Sequence, residues 1–190
     1  MGHQHVSELA ERVSPATMSR TYLSIYLQDH LAGATAGVNL ARRATRHNQG
    51  TPAGRRLEQV AHEIEVDRDT LTRFMAELGI RASWTKNAVA WLMERVSRLK
   101  PNGRRNGDTS LLRMHELETL SLGIAGKQCL WEALRTAPES AAIANLDLDD
   151  LLDRARSQRE RVEMERIALA RVALSLSPKT PERQLDVAGV

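Results

Sequence analysis

The feature that most constrains this chain is a heptad near its C-terminus: Leu148, Leu151, Ala155, Gln158, Val162, Glu165, Leu169, Val172 and Leu176 recur at alternating spacings of three and four. Only a helix brings such positions onto one face, and that face must be buried against other helices. Three more segments show the same kind of stripe. In the first, Leu23, Leu27, His30, Ala34, Val38 and Ala41 share a face, and the run Ala32-Gly33-Ala34-Thr35-Ala36-Gly37 lets a neighbouring helix approach closely. The second spans about 52 to 78, with Leu57, Val60, Ile64, Asp67, Leu71, Phe74 and Leu78, and stops at Gly79. The third, 109 to 136, follows Asp108-Thr109-Ser110 and has a broad arc that includes Leu111, Leu117, Leu122, Ile124, Trp131 and Leu134. Asn48, Gly50 and Pro52 divide the first helix from the second, and the fourth starts around Asp147.

Composition agrees with an all-α chain. Aromatics make up 3% with a single Phe, too few for a β-sandwich core. A chain of 190 residues can bury enough surface to fold as one domain without disulfides or a structural metal. Cys129 stands alone, so no intrachain disulfide can form and a reducing compartment is expected. The opening MGHQHVSELAERVSP lacks the apolar stretch of a secretion signal, and no run approaches the roughly 18 apolar residues of a membrane span. The expectation is a cytoplasmic protein with a flexible N-terminal segment (1–17), a bundle domain (18–176) and a flexible C-terminal tail (177–190).

The connection 79–108 is unusually long. It carries a short amphipathic helical pattern, Trp84, Val89, Trp91, Leu92, Val96 and Leu99, before a stop at Pro101-Asn102-Gly103. About 16 helical residues rise about 24 Å, enough to return along most of a bundle roughly 40 Å long. A simple up-and-down bundle would need only a few residues here. The expected fold is therefore an all-α, ferritin-like four-helix bundle with a long crossover, containing a short helix, between helices 2 and 3.

The segments TYLSIYLQDHLAGATAGVNLARRA, LEQVAHEIEVDRDTL and MHELETLSLGIAGKQCLWEAL resemble an uncharacterised bacterial family described as ferritin-like. That resemblance covers nearly all of the helical region and implies a fold without an established activity. Di-iron bundles place a Glu on each of two helices and Glu-x-x-His on each of the other two. This chain departs from the pattern: Val66 follows Glu63 at the third position, Ser121 follows Glu118 and Glu163 follows Glu160. The pairs His115-x-x-Glu118 and His62-x-x-Glu65 run in reverse order.

Five polar side chains occupy stripe positions: His30, Asp67, Glu118, Gln158 and Glu165, with Glu63 and His115 close by. A buried carboxylate must be paired, protonated or metal-bound, so a buried polar network is expected. Counted along the helices, His30, Asp67 and Gln158 fall at one level and Glu118 and Glu165 at another, about 10 Å away. Two metals about 3.5–4 Å apart would not span that gap. The leading expectation is hydrogen-bonded or ion-paired layers that set helix register, including a His30–Asp67 contact. The alternative is a metal-binding carboxylate bundle or oxidase, taking iron or manganese through Glu63, His115, Glu118, Glu165, His30 and Asp67.

The crossover also sorts charge. It places Arg42, Arg43, Arg46, Arg55 and Arg56 at one pole with Arg98, Lys100, Arg104 and Arg105, and Glu77, Asp147, Asp149 and Asp150 at the other. An arginine pole can attract phosphates, nucleic acid or an anionic surface, or it can simply complement helix C-termini. No aromatics interleave and no nucleic-acid motif is present. Trp84 and Trp91 pack on the bundle or form a dimer surface, and Cys129 reads as a small core residue. With no nucleophile elbow and no phosphate-binding loop, the sequence points to a non-enzymatic structural or interaction protein that joins itself or a protein partner through the crossover or a pole.

Overall fold

The computed structural model describes residues 15–81, 109–137 and 141–175. In these lie α1 (Pro15–His47), α2 (Pro52–Glu77), α3 (Thr109–Thr136), α4 (Ala141–Ala144) and α5 (Leu148–Ala173), with no strand among the described residues. The short helix expected in the crossover around Trp84 and Trp91, the basic residues Arg98, Lys100, Arg104 and Arg105, and the tail from 177 lie outside the described residues. So does most of the N-terminal segment, although α1 already begins at Pro15. Proline suits the first position of a helix, where the missing N–H has no intrahelical partner to lose.

Local chemistry sets the helix ends. The Thr51 hydroxyl accepts a hydrogen bond from the Gly54 amide at 3.0 Å and caps α2, with Pro52 next in sequence. Gly54 is buried where a Cβ would stand 2.2 Å from the Asn48 carbonyl oxygen, so this turn closes only around a residue without a side chain. At the other end of α2, Gly79 takes φ +67. Its amide donates to the Ala76 carbonyl at 2.9 Å and that of Ile80 donates to Met75 at 2.8 Å, a double return that satisfies the last carbonyls. Ile80 and Met75 are both buried in one apolar cluster, which fixes the direction in which the chain leaves. The Asp147 carboxylate caps α5 by accepting from the Asp150 amide at 3.0 Å.

α1 packs extensively on α2, and α3 on α5; α1 also meets α3, while α2 and α5 touch more sparsely. Side-chain bonds give the directions. Arg20, near the start of α1, donates to the Leu78 carbonyl just beyond α2 at 2.9 Å. Arg43 and His47, near the end of α1, meet Glu116 near the start of α3. Arg56, Glu63 and Asp67 along α2 pair with Glu165, Arg161 and Arg154, descending along α5. Thus α3 starts at the end of the molecule where α1 finishes, opposite the end where α2 finishes.

The interior divides into two apolar clusters. One joins Val38, Ala41, Leu57, Val60, Ile64, Leu117, Leu120, Ile124, Ala155 and Val162, and the other Leu27, Leu31, Leu71, Phe74, Leu130, Trp131, Leu134, Leu151 and Leu152. The expected stripe of α2 is buried as read, from Leu57 to Phe74. Part of the expected arc of α3 is not: Leu122 is 66% exposed and Leu111 lies at the surface. Leu122 precedes the buried Ile124 by two residues, which is about 200° of helix rotation. Cys129, on the same outer face as Leu122, is exposed and is not a core residue. Val172, expected on the α5 stripe, is 62% exposed. Arg56 and Glu165 lie level, so four residues back to Pro52 and four on to Leu169 mark where α2 ends its cover of α5, and Val172 lies beyond.

Candidate functional site

Between the two apolar clusters lies a layer of polar side chains centred on Asp67. Ile64 on one side and Leu71 on the other belong to different clusters, and Asp67 itself is 1% exposed. Its carboxylate accepts from Lys127 Nζ of α3 at 2.5 Å, from Arg154 Nε of α5 at 2.7 Å and from Gln158 Nε2 of α5 at 3.1 Å. The Gln158 side-chain oxygen accepts in turn from Lys127 Nζ. The three helices are thereby tied at one level by donors and acceptors that are mutually satisfied, which is the condition under which buried polar groups are tolerable. Burial pushes the Lys127 ammonium below its ordinary pKa, opposed by attraction to Asp67. Arg154 also reaches Asp150 at 2.9 Å towards the surface.

Further ion pairs flank this layer. Glu63 meets the guanidinium of Arg161 through both carboxylate oxygens, one bond measuring 3.0 Å, with each side chain 19% exposed. The Glu165 carboxylate accepts from Arg56 Nε at 2.5 Å. Glu116, only 4% exposed, lies 2.8 Å from His47 Nδ1 and 2.9 Å from Arg43 Nε, the latter an ion pair whose N–H is not aligned for a hydrogen bond. Each of these carboxylates therefore faces at least one cationic or basic side chain.

The residues singled out in the sequence separate into different surroundings. Asp67 and Gln158 share the layer, at the same level as counted. His30 does not join them: it is half-buried on α1, its ring edge-on to Tyr26 with centroids 4.5 Å apart, and burial lowers its pKa. The acid of α3 that enters the interior is Glu116, not Glu118, whose side chain is 49% exposed and lies 3.8 Å from His115. The two glutamates flank the core position Leu117 on opposite sides, and only the flank of Glu116 is closed by α1. Glu63, Glu165, His115, Glu118, His30 and Asp67 do not converge, and among the described residues no group of three His, Cys, Asp or Glu side chains could hold a metal ion. These donors do not fit a carboxylate-bridged metal centre, because Glu63, Asp67 and Glu165 are already met by arginine or lysine.

Of the arginines expected to bind anions, Arg42 meets Glu65 at 2.6 Å, and Arg43 and Arg56 are paired as described. Arg46 and Arg55 are exposed, whereas Lys100, Arg104 and Arg105 lie outside the described residues. Lys127 was legible in the sequence. It falls three residues after Ile124 and four before Trp131, on the buried stripe of α3, but the surrounding run Ala125-Gly126-Lys127-Gln128 disguised it as surface. No protein-family model matches the chain, and searches of curated proteins and of solved structures return no match. No helix among the described residues is long and apolar enough to cross a membrane.

Proposed function

We propose that this chain is a non-enzymatic, ferritin-like helical-bundle protein of the cytoplasm, with a structural or interaction role, whose buried polar groups set the register of its helices. The observation that carries this reading is the occupancy of Asp67 by Lys127, Arg154 and Gln158. An ammonium and a guanidinium sit where a metal or a substrate proton would have to be. A buried carboxylate committed to these partners is a poor general base and a poor metal ligand, because either task would strand a buried cation. Apolar helix faces alone tolerate sliding by a turn, whereas a donor–acceptor layer is satisfied in one alignment. The ferritin-like connectivity is supported by helix direction, since Leu78 and the start of α3 lie at opposite ends.

The test is elemental analysis of the full chain purified from cells supplied with iron and manganese. The expected result is less than stoichiometric metal, unchanged by Glu63→Ala or Glu165→Ala. Stoichiometric metal lost in either variant would overturn the reading in favour of a metal-binding bundle.

A further inference from the structure

Charge is missing from one side of the molecule. Along α1 no Asp, Glu, Lys or Arg occurs between Asp29 and Arg42, and along α3 only Lys127 does between Glu118 and Glu132, its ammonium turned inward to Asp67. The two stretches lie side by side. Arg43 and His47 meet Glu116 at one end, and at the other burial and the neighbouring Cys129 push the Tyr26 phenol up. Counted between those contacts at a constant rise, Gly33 comes level with Gly126. Among the described residues, a Cβ added at Gly33, Gly123 or Gly126 would meet nothing within 4 Å. Leu122 beside them is 66% exposed, and Cys129 is exposed as well. The result is an uncharged, partly apolar face in which three glycines leave open space. The outer faces of α2 and α5 are unlike it, with Glu58, Asp69 and Arg73 exposed on one and Asp153, Arg156 and Glu160 on the other.

We propose that the chain's own segment 82–108, outside the described residues, is what covers this α1–α3 face. The chain leaves α2 beside the start of α1, where Arg20 holds the Leu78 carbonyl, and enters α3 at Thr109 beside the end of α1, where Arg43 and His47 hold Glu116. Both attachments of the segment therefore flank α1, about 35 Å apart along that helix. α2 and α3 have two common neighbours, α1 and α5, so the connection passes over one or the other. Its apolar stripe is Trp84, Val89, Trp91, Leu92, Val96 and Leu99. Laid over α5 that stripe would cut exposed charges off from water, at a cost in free energy, whereas the α1–α3 face presents none in its middle. Two indoles also need the space that Gly33, Gly123 and Gly126 leave open, since interiors are close-packed. A second copy would have to displace a segment already held at both ends, and so present at high effective concentration.

The experiment uses the full chain, with Cys129, its only thiol, as the reporter of cover. Reaction with dithionitrobenzoate should be at least about tenfold slower than in urea, because the rate follows access to the thiol, and it should not change with protein concentration. The double variant Trp84→Ser/Trp91→Ser should restore most of the rate. Should that variant not fold, Gly33→Leu and Gly126→Leu report on the same cover without touching the segment. On a bare helix face leucine in place of glycine improves helix propensity and raises Tm. Under a cover the same change overpacks, and Tm should fall by about 2–8 °C. A Tm that rises in either glycine variant, a thiol as reactive in the native chain as in urea, or protection that survives the tryptophan changes overturns the proposal. Protection that appears only as protein concentration rises, together with dimers in sedimentation velocity, overturns it in favour of a second copy on this face. None of these outcomes bears on metal content, so the reading of the interior stands or falls separately.

Discussion

Replacing Lys127 by methionine removes the ammonium from the Asp67 carboxylate while keeping most of the side-chain volume. Asp67 is left 1% exposed with Arg154 at 2.7 Å and Gln158 at 3.1 Å. Removing one partner of a buried ion pair costs about 3–5 kcal/mol. Arg154 retains part of the compensation, so about 2–3 kcal/mol is expected, or roughly 5–10 °C in Tm for a domain of this size. Exchanging the whole layer is a different perturbation. In Asp67→Leu/Lys127→Met/Gln158→Leu no polar group of the trio remains to be stranded, and Arg154, 26% exposed, can turn to Asp150. Apolar replacement of a buried ionic group is often neutral or stabilising by about 1–4 kcal/mol. The triple variant should therefore be more stable than Lys127→Met, and far more stable than the sum of its single changes. Urea and thermal unfolding followed by circular dichroism measure both. Amide NMR spectra of the triple variant should show more than one packed form, since its two apolar clusters become continuous. A loss under about 0.5 kcal/mol in Lys127→Met, well below the usual cost of breaking a buried pair, would refute the reasoning. So would a triple variant that falls as far as its single changes add up to, or one that keeps a single packed form.

Three more outcomes follow from particular positions. Gly54→Ala should destabilise by about 1–3 kcal/mol in denaturant unfolding, despite alanine's better helix propensity, because its Cβ meets backbone at 2.2 Å. Gly79→Ala should cost about 1–2 kcal/mol through backbone conformation alone, since its φ is +67 and the nearest atom to the new Cβ would be Arg20 Nη2 at 3.5 Å. Burial holds the His30 pKa below the ordinary histidine value of about 6.5, so the unfolded chain binds the proton first as pH falls. The stability His30 confers is thus complete above about pH 6.5, the unfolded value, and is lost as pH drops through the lowered folded value; His30→Gln should flatten that part of a Tm-against-pH curve.

Much of the architecture was legible from periodicity. The α2 stripe, the Gly79 stop and the α5 start at Asp147 all follow from local chemistry, because a helix buries one face and its ends need particular caps and turns. The level shared by Asp67 and Gln158 was likewise countable, since each residue advances a helix by a constant rise.

Which polar groups met was decided only by the tertiary structure. Periodicity gives the face of each helix but not how far that face is rotated towards each neighbour, and about 100° separates adjacent residues. That rotation buried Glu116 against Arg43 and His47 and left Glu118 at the surface. It also put Lys127, not His30, against Asp67. The all-α outline of the described residues could thus be read helix by helix. The chemistry of its interior depended on pairs of residues 31 to 109 positions apart, and no local pattern records such distant encounters.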